Sequence, residues 1–250
     1  MGRWSRRLAP RFLEFAGVVD GDRVLDVGSG TGALTETVLA AAPRSPVVGI
    51  EVSAPYVESA GARLTDPRAR FDLGDARSLP YPDASFDACL SLLVVQFIPD
   101  APRAVGEMRR VTRPGGRVAA CVWDGSGGME MLRAFWDAAV ALDPSAEPLS
   151  SRHRPYSRRG ELARLWAECG LADIEETDLM IPLEFASFED FWAPHLEGQG
   201  PAAAYATRLP PERQRALRER LRETLLGGRA DGPFTLRARA WAARGVVAPR

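Results

Sequence analysis

Short apolar runs alternate with amphipathic segments in the first half of the chain. Continuous apolar stretches predict five strands, which cover residues 23–27, 47–52, 70–73, 86–91 and 117–122. Apolar positions at helical spacing predict helices at about 5–17, between Gly32 and Pro43, at 53–64 and at 101–111. Strands that alternate with helices in this way are typical of a parallel sheet covered on both faces.

The second half of the chain lacks this regular alternation. Helical spacing predicts helices at 129–142, 161–169 and 211–226, and long strands are predicted at 174–183 and 234–247. A basic loop and an aromatic stretch rich in Gly and Pro lie between these elements, at 150–157 and 185–205. No internal repeat and no low-complexity linker interrupts the sequence, so we expect one domain with insertions.

Composition and charge exclude several classes of protein. The 250 residues carry 32 basic and 33 acidic side chains, and a net charge of −1 gives no positive field for nucleic acid or an anionic membrane. Lys and Asn are absent, which excludes Schiff-base lysine chemistry and N-glycosylation. No apolar run reaches the roughly 20 residues of a membrane span, and the N-terminus lacks a signal peptide core. We therefore expect a soluble, cytoplasmic protein.

The cysteines are far apart and form no C-x-x-C pair. With 3 cysteines and 2 histidines in the chain, neither a disulfide framework nor a metal site is predicted. Cys89 and Cys121 lie inside apolar runs, so we interpret them as small core residues.

The strand at 23–27 runs directly into a glycine turn, Gly28-Ser29-Gly30-Thr31-Gly32. Such a turn brings backbone N–H groups to the carboxyl edge of a parallel sheet, where ligands bind in open α/β folds. The spacing is G-x-G-x-G, whereas a dinucleotide site has G-x-G-x-x-G. Asp26, two residues before the first glycine, would repel a pyrophosphate but suits a ligand with an amino group and a sulfonium.

Two further acidic residues follow later strands. Glu51 lies at the end of the second strand, in the position that binds ribose hydroxyls in doubly wound sheets. Asp75, after the third strand, can accept a hydrogen bond from an adenine amino group, with Ala76 beside the ring. A tight glycine turn and an acidic residue at a strand end also occur without a ligand, so the prediction depends on their combination.

The chain resembles the class I S-adenosylmethionine-dependent methyltransferases, and more narrowly the bacterial group related to the ubiquinone and menaquinone methyltransferases. Four segments in the same order and spacing carry the resemblance: VLDVGSGTG, GIEVS, GDARSLPYPDASFDACLS and RRVTRPGGRVAACVWD. They fall between about residues 20 and 124. The resemblance implies a Rossmann-like, doubly wound α/β sheet of seven strands with the last strand antiparallel. Helical and aromatic insertions are expected after strand five and between the last two strands.

The resemblance also assigns roles within a single methyltransferase domain, 1–250. It implies an N-terminal lid helix at 1–20, a cofactor-binding core at 21–124, and acceptor-pocket insertions with the last two strands at 125–250. The implied cofactor is S-adenosylmethionine, with S-adenosylhomocysteine as the product. As partners we expect a small-molecule methyl acceptor, no nucleic acid and no membrane, in a monomer or homodimer.

The cofactor site carries over from the family position by position. The glycine turn with Asp26 would hold the methionine part, Glu51 the ribose, and Asp75 the adenine. Residues after the fourth strand would lie under the sulfonium, and N-terminal residues would fold over the cofactor. The implied set is Trp4, Ser5, Arg6, Asp26, Gly28, Ser29, Gly30, Thr31, Gly32, Glu51, Val52, Gly74, Asp75, Ala76, Ser91, Leu92 and Gln96, the last standing where many relatives have His or Asn.

A general base is needed only if the methyl acceptor must lose a proton. The candidate catalytic residues are His153, His195 and Tyr156. His153 lies between Arg152 and Arg154, whose charges disfavour its protonation, and His195 follows an aromatic segment. Each of these residues also fits a structural role, either in a solvated loop or in the core.

Aromatic residues beyond the fifth strand would form a largely apolar acceptor pocket. They also fit the hydrophobic core, which is the more frequent role of aromatic residues at helical spacing. The candidate pocket residues are Trp123, Phe135, Trp136, Phe191, Trp192 and Tyr205. This aromatic content predicts a small, flat or hydrophobic organic acceptor.

Other functions stay open beside small-molecule methylation. A methyltransferase acting on protein or nucleic acid is the second alternative. Amino-group methylation of nucleic acid is disfavoured by the near-neutral charge and by the sequence Ser91-Leu92-Leu93-Val94, where an Asn-Pro-Pro-Tyr type would stand. A nicotinamide-dependent oxidoreductase is disfavoured by Asp26 and by the glycine spacing. A cofactor-binding protein with a regulatory role is a further alternative, because no single residue is indispensable for this chemistry.

Overall fold

A computed structural model of the chain describes residues 2–197 and 200–249. Within them the strands are Val24–Val27 (β1), Val47–Glu51 (β2), Ala69–Leu73 (β3), Phe86–Leu92 (β4), Thr112–Trp123 (β5), Ala172–Phe185 (β6) and Phe234–Val246 (β7). The helices are Gly2–Ala16 (α1), Ala33–Ala41 (α2), Ala54–Arg63 (α3), Ala101–Val111 (α4), Glu130–Leu142 (α5), Glu161–Glu168 (α6), Phe188–Trp192 (α7), Gly200–Arg208 (α8) and Pro211–Leu226 (α9). Short 3₁₀ turns cover Val95–Phe97, Pro144–Leu149, Ser151–His153 and Ala193–Leu196.

The strands form one seven-stranded sheet in the order β3-β2-β1-β4-β5-β7-β6. β1 to β5 pair in parallel, and β7 runs antiparallel to β5, from Arg117 opposite Val246 to Trp123 opposite Ala240. The chain moves outward from β1 to β3 and then returns to β4. The carboxyl ends of β1 and β4 therefore adjoin at the switch point, where doubly wound sheets bind ligands. The predicted fold class is confirmed.

The chain divides into two compact units. The first comprises Met1–Trp123, Pro155–Leu179 and Ala240–Arg250, and the second comprises Asp124–Arg154 and Met180–Arg239. In the first unit, α4 and α6 pack against one face of β1, β4 and β5. The indole Nε1 of the buried Trp166 donates to the carbonyl of Val118 at 2.9 Å and so fixes α6 on β5. The assignment of a single domain with a lid, a core and insertions stays a prediction.

The start of β5 differs from the prediction. The Pro114-Gly115-Gly116 sequence was expected to separate α4 from a strand at 117–122, but β5 begins at Thr112. Phe86 of β4 pairs with Thr112 of β5, and Ala88 pairs with Arg117. The residues of β5 between Thr112 and Arg117 therefore form a bulge. Proline and glycine suit such a bulge because the pairing is interrupted there.

The aromatic stretch at 185–205 is also more regular than predicted. It contains α7, a 3₁₀ turn and the start of α8. Pro194 and the glycines in this stretch obscured these short helices, because such residues are typical of turns. The elements predicted at 101–111 and 211–226 are confirmed, and Cys89 and Cys121 are fully buried as expected. No helix in the described part of the chain has both the length and the apolar character to cross a bilayer.

Candidate functional site

The glycine turn between β1 and α2 requires glycine at each of its three glycine positions. Gly28, Gly30 and Gly32 have φ values of 73°, 52° and 83°, a left-handed conformation that strains other residues. A Cβ on Gly28 would lie 2.5 Å from Val94 Cγ1, so the segment after β4 packs directly on the turn. Around a Cβ on Gly30, by contrast, no atom of the described chain lies within 4 Å. The middle of the turn therefore borders open space.

The backbone amides of this turn point into the protein. Gly28 and Ser29 donate to the carbonyl of Ile50 at 2.8 and 3.1 Å, and Gly30 donates to Oε2 of Glu51 at 3.0 Å. A pyrophosphate site needs free N–H groups at a helix N-terminus. Because these three amides already have acceptors, the turn is a poor pyrophosphate site. A nicotinamide dinucleotide contains a pyrophosphate, so this observation also argues against a nicotinamide cofactor.

Asp26 lies beneath the turn, in the middle of the buried strand β1. Its side chain is 1 % exposed, and Oδ2 accepts hydrogen bonds from Thr35 N at 3.1 Å and Thr35 Oγ1 at 2.8 Å. The other oxygen, Oδ1, is buried and has no partner among the described residues. Burial raises the pKa of Asp26 to about 7, and the nearby charge of Glu51 acts in the same direction. A cationic hydrogen-bond donor from a ligand would satisfy this oxygen.

Glu51 is held in place at the end of β2. Its Oε1 accepts from Ser53 N at 3.1 Å, and its Oε2 accepts from Gly30 N at 3.0 Å. Each carboxylate oxygen retains a second lone pair. Two fixed, partly exposed acceptor oxygens suit a pair of neighbouring hydroxyl groups. The next residue, Val52, is exposed and presents an apolar surface beside this carboxylate.

Asp75 has an ion-pair partner that the sequence did not predict. The Arg77 guanidinium forms an ion pair with it at 2.6 Å, and Arg77 N donates to Oδ1 at 2.8 Å. These hydrogen bonds lower the pKa of Asp75 to about 2. Gly74, just before it, packs closely: a Cβ there would lie 2.7 Å from Ile50 Cδ1. The spacing of Asp75 and Arg77, two residues apart across a turn, is the signal that could have revealed the pair.

The remaining residues of the implied cofactor set lie in the first unit. Ser91 is fully buried, and its Oγ donates to the carbonyl of Val27 at 3.0 Å, so it ties β4 to β1. Leu92 and Gln96 are also buried. Trp4 is buried on α1, with the Arg3 guanidinium 4.2 Å and the Arg7 guanidinium 5.4 Å from its ring centroid. Its ring therefore already binds cations of its own helix.

The N-terminal helix is placed next to α2. Arg6 lies 3.8 Å from Glu36, which is in the first turn of α2 and so close to the end of the glycine turn. Trp4 and Leu8 bury one side of α1, while Arg6 is exposed and Ser5 is half-buried. The role of Trp4, Ser5 and Arg6 as a lid over a cofactor stays a prediction.

The second unit gathers most of the predicted pocket aromatics around His195. The imidazole stacks on Phe135 with centroids 4.8 Å apart, and it lies 5.1 Å from Phe191 and 6.1 Å from Trp192. Phe135 also contacts Trp136 and Tyr205 edge-on, at 5.2 and 6.3 Å. The structure thus brings these five aromatic residues together. Trp123, the sixth predicted pocket residue, ends β5 in the first unit.

The three candidate bases lie in different surroundings. His195 is buried, its Nδ1 hydrogen-bonds the carbonyl of Phe191 at 3.0 Å, and burial lowers its pKa to about 4. His153 is exposed, and its Nε2 lies 3.3 Å from Oε1 of Glu147. Tyr156 is half-buried against the core of the first unit with a φ of 60°, and burial raises its pKa. His195 alone of the three is both neutral and enclosed by other predicted site residues.

Comparison with known proteins gives a consistent result. The family model described as a methyltransferase domain matches residues 25–120. Over 119 residues the chain is 39 % identical to 27-O-demethylrifamycin SV methyltransferase of Amycolatopsis mediterranei. This match covers 46 % of this chain and only 43 % of that protein. Over 164 residues the chain is 31 % identical to demethylmenaquinone methyltransferase of Roseiflexus castenholzii. This match covers 61 % of this chain and 68 % of that protein.

A solved structure shows the same fold at low sequence identity. Phosphoethanolamine N-methyltransferase 2 of Haemonchus contortus, in complex with phosphomonomethylethanolamine and S-adenosylhomocysteine, superposes with a TM-score of 0.61 at 18 % identity. The match covers 98 % of this chain and 53 % of that protein.

Proposed function

Because this chain belongs to the class I S-adenosylmethionine-dependent methyltransferases, we propose that it transfers a methyl group from this cofactor to a small organic acceptor. The observation that carries the proposal is the unpaired, buried Oδ1 of Asp26 beneath a glycine turn that opens at Gly30. A buried carboxylate oxygen without a partner is costly, by about 1–3 kcal/mol or more. An ammonium group of a bound ligand removes that cost.

The residues of the first unit fit S-adenosylmethionine part by part. Asp26 would accept a hydrogen bond from the amino group of the methionine part, and the open side of Gly30 gives its chain room. Glu51, held by two backbone amides, would accept from the ribose hydroxyls. Asp75, fixed by Arg77, would accept from the adenine amino group. The adenine would pack beside Val52 and Ala76.

The cofactor supplies a methyl group on a positively charged sulfur, which is a good leaving group for in-line displacement. The protein then has to align the acceptor and exclude water. Fixing both reactants in this way can contribute about 7–11 kcal/mol to lowering the barrier. Ser91 supports this alignment, because its hydrogen bond to Val27 fixes the end of β4 against β1 at the switch point.

The acceptor class is proposed on the aromatic character of the second unit and on the relatives. The two relatives described above are named for the methylation of a demethylrifamycin and of a demethylmenaquinone, which are small organic molecules. Phe135, Trp136 and Tyr205 form a tight aromatic cluster that suits a flat or hydrophobic acceptor. For an acceptor that must lose a proton, His153, His195 and Tyr156 stay the candidate bases.

The proposal is tested by a methyl-transfer screen. The purified protein is incubated with S-adenosylmethionine labelled in the methyl group and with a panel of phenols, hydroquinones, carboxylic acids and amines. We expect label in phenol-type or hydroquinone-type acceptors, and its loss when Asp26→Asn is used. Label that enters only polar amines would contradict the proposed acceptor class. Binding of the cofactor with no transfer to any member of the panel would favour a regulatory role.

A further inference from the structure

The carboxyl ends of β4 and β5 meet next to the glycine turn. Leu92 pairs with Cys121, and the following amide, Leu93 N, donates to the carbonyl of Cys121 at 2.8 Å. Leu93 has a φ of 66°, so the chain turns sharply after β4. Val94 then packs on Gly28, and the 3₁₀ turn Val95–Phe97 packs against β5. This turn is therefore fixed between the glycine turn and the end of β5.

Gln96 lies in this 3₁₀ turn with its carboxamide unused. The residue is 7 % exposed, and its side chain makes no hydrogen bond to any residue in the described part of the chain. A carboxamide offers two N–H donors and an acceptor oxygen, which no residue of the described chain uses here, and the residue keeps part of its surface exposed.

Trp123, the last residue of β5, carries a second donor that the fold does not use. It is 4 % exposed, and its indole Nε1–H is buried with no hydrogen-bond partner among the described residues. Most buried tryptophan N–H groups do find a partner. Trp166 of α6 shows the usual arrangement, since its Nε1 donates to the carbonyl of Val118 in β5 at 2.9 Å. The end of β5 thus carries a donor whose partner is not part of the fold.

We infer that Gln96 and Trp123 form a neutral pair of N–H donors that holds an anionic oxygen of the methyl acceptor. The inference rests on the proposed function and names the chemical class of the acceptor, which is a phenolate, enolate or carboxylate. Trp123 ends β5, and Gln96 lies in the 3₁₀ turn that follows β4, the parallel neighbour of β5, at the ligand-binding edge of the sheet. Neither side chain ionises at neutral pH, so the pair stabilises negative charge without taking up a proton.

Methyl transfer to an anionic acceptor needs no general base, because the acceptor has no proton to lose. The acceptor oxygen forms the new bond to the methyl carbon with one of its lone pairs. The carbon–sulfur bond breaks at the same time, and its electron pair goes to sulfur. The negative charge on oxygen and the positive charge on sulfur cancel, and no proton moves. The two N–H donors select the ionised acceptor and fix the oxygen for the in-line approach.

The test uses 4-nitrophenol, a phenol whose ionised form absorbs visible light. It is titrated into the protein saturated with S-adenosylhomocysteine, near the pH at which half of the free probe is ionised. We expect the wild type to bind the ionised form and to lower the pKa of the probe. Trp123→Phe and Gln96→Met each remove donors while keeping the shape, and we expect each to weaken binding roughly tenfold to hundredfold.

Controls separate this inference from the proposed function. Nitrobenzene, which has the nitro group but lacks the phenolic oxygen, is expected to bind the wild type and both variants equally. Gln214→Met, in α9 of the second unit, makes the same change elsewhere and should leave binding of 4-nitrophenolate unchanged. S-adenosylhomocysteine is expected to bind the wild type, Trp123→Phe and Gln214→Met alike, which also shows that they fold. Gln96 belongs to the implied cofactor set, so Gln96→Met is compared only at saturating S-adenosylhomocysteine, and an unfolding transition like that of the wild type shows that it folds. Failure of S-adenosylhomocysteine to bind the wild type would contradict the proposed function and this inference together.

Two outcomes would overturn the inference alone. One is normal binding of S-adenosylhomocysteine with equal affinity of the wild type, Trp123→Phe and Gln96→Met for 4-nitrophenolate. The other is normal binding of S-adenosylhomocysteine with no binding of 4-nitrophenolate by the wild type.

Discussion

Thr35 donates two hydrogen bonds to a single oxygen of Asp26, from its backbone N at 3.1 Å and from its Oγ1 at 2.8 Å. The other carboxylate oxygen is left buried and without a partner in the described structure. Thr35 belongs to the first half of α2, so the helix that follows the glycine turn orients the acid that precedes it. This arrangement fixes the direction in which Asp26 offers its free oxygen.

The first prediction concerns Thr35. The hydrogen bonds from Thr35 lower the pKa of Asp26 against the effect of burial. Thr35→Val removes the Oγ1 donor, so the pKa of Asp26 is expected to rise above about 7 and less of the ionised form is present at neutral pH. We expect a roughly tenfold loss of affinity for S-adenosylhomocysteine at pH 7, measured by calorimetry. Thr37→Val is the control, because Thr37 Oγ1 donates only to the carbonyl of Ala33 within α2. Equal losses in both variants would contradict the role given to Thr35.

The second prediction is a pH dependence of cofactor binding. An ammonium group binds the ionised form of Asp26, whose pKa is raised by burial to about 7. As the pH falls below 7, the protonated fraction grows and affinity for S-adenosylhomocysteine is expected to fall about tenfold per pH unit. Asp26→Asn has no such group and should bind weakly with little pH dependence between 5 and 8. A wild-type affinity that does not change over this range would contradict the prediction.

The stability of the ligand-free protein should change with pH in the opposite sense. The pKa of Asp26 is raised from 3.8 when unfolded to about 7 when folded, so the folded state binds the proton more tightly. Its contribution to stability is present below pH 3.8 and is lost as the pH rises through 7. The free energy of unfolding of the wild type, relative to Asp26→Asn, is therefore expected to increase as the pH falls from 8 to 4. Denaturant unfolding of both proteins measures this, and a constant difference would refute it.

The third prediction separates the conformation of Gly30 from the space beside it. Gly30→Ala places a Cβ in the open space of the turn and strains a residue with a φ of 52°. Gly227→Ala, after α9, imposes a similar strain at a φ of 56°, also with nothing within 4 Å of the Cβ among the described residues. We expect each variant to lose about 1–2 kcal/mol of stability. Only Gly30→Ala should lose affinity for S-adenosylhomocysteine, and an equal loss in Gly227→Ala would contradict the assignment.

The fourth prediction concerns His195 in the second unit. Its pKa falls from 6.5 to about 4 because burial disfavours the charged imidazole. The unfolded state then binds more protons than the folded state, so stability should decrease as the pH drops from 6.5 towards 4. His195→Phe keeps the stacking on Phe135 and is expected to remove this part of the acid sensitivity. Unfolding midpoints measured from pH 7 to pH 4 test it, and identical pH profiles of both proteins would refute it.

Much of the fold could be read from local patterns. Alternating apolar runs and helical spacing indicated the parallel part of the sheet, and the glycine spacing with Asp26 indicated the type of ligand. These signals are local, because a strand, a turn and a helix follow one another within a few residues. The bulge at the start of β5 was not predicted, since it depends on which residues of β4 pair with Thr112 and Arg117.

The finer features of the site depend on contacts between distant segments. The amides of Gly28 and Ser29 turn inward because β2 places the Ile50 carbonyl beside them. The Trp123 indole N–H is likewise left buried and without a partner among the described residues by the packing at the end of β5. Sequence spacing alone does not state which polar groups stay without partners, and those groups are the ones that indicate a ligand.

The most direct test is calorimetric titration of the wild type, Asp26→Asn and the exposed control Asp178→Asn with S-adenosylhomocysteine and with methylthioadenosine, which lacks the amino-acid part. We predict that Asp26→Asn binds S-adenosylhomocysteine roughly tenfold to hundredfold more weakly than the wild type, because an ionic hydrogen bond is lost. Methylthioadenosine should bind all three proteins alike. Equal affinity of Asp26→Asn and the wild type for S-adenosylhomocysteine, or no binding by the wild type, would contradict the account.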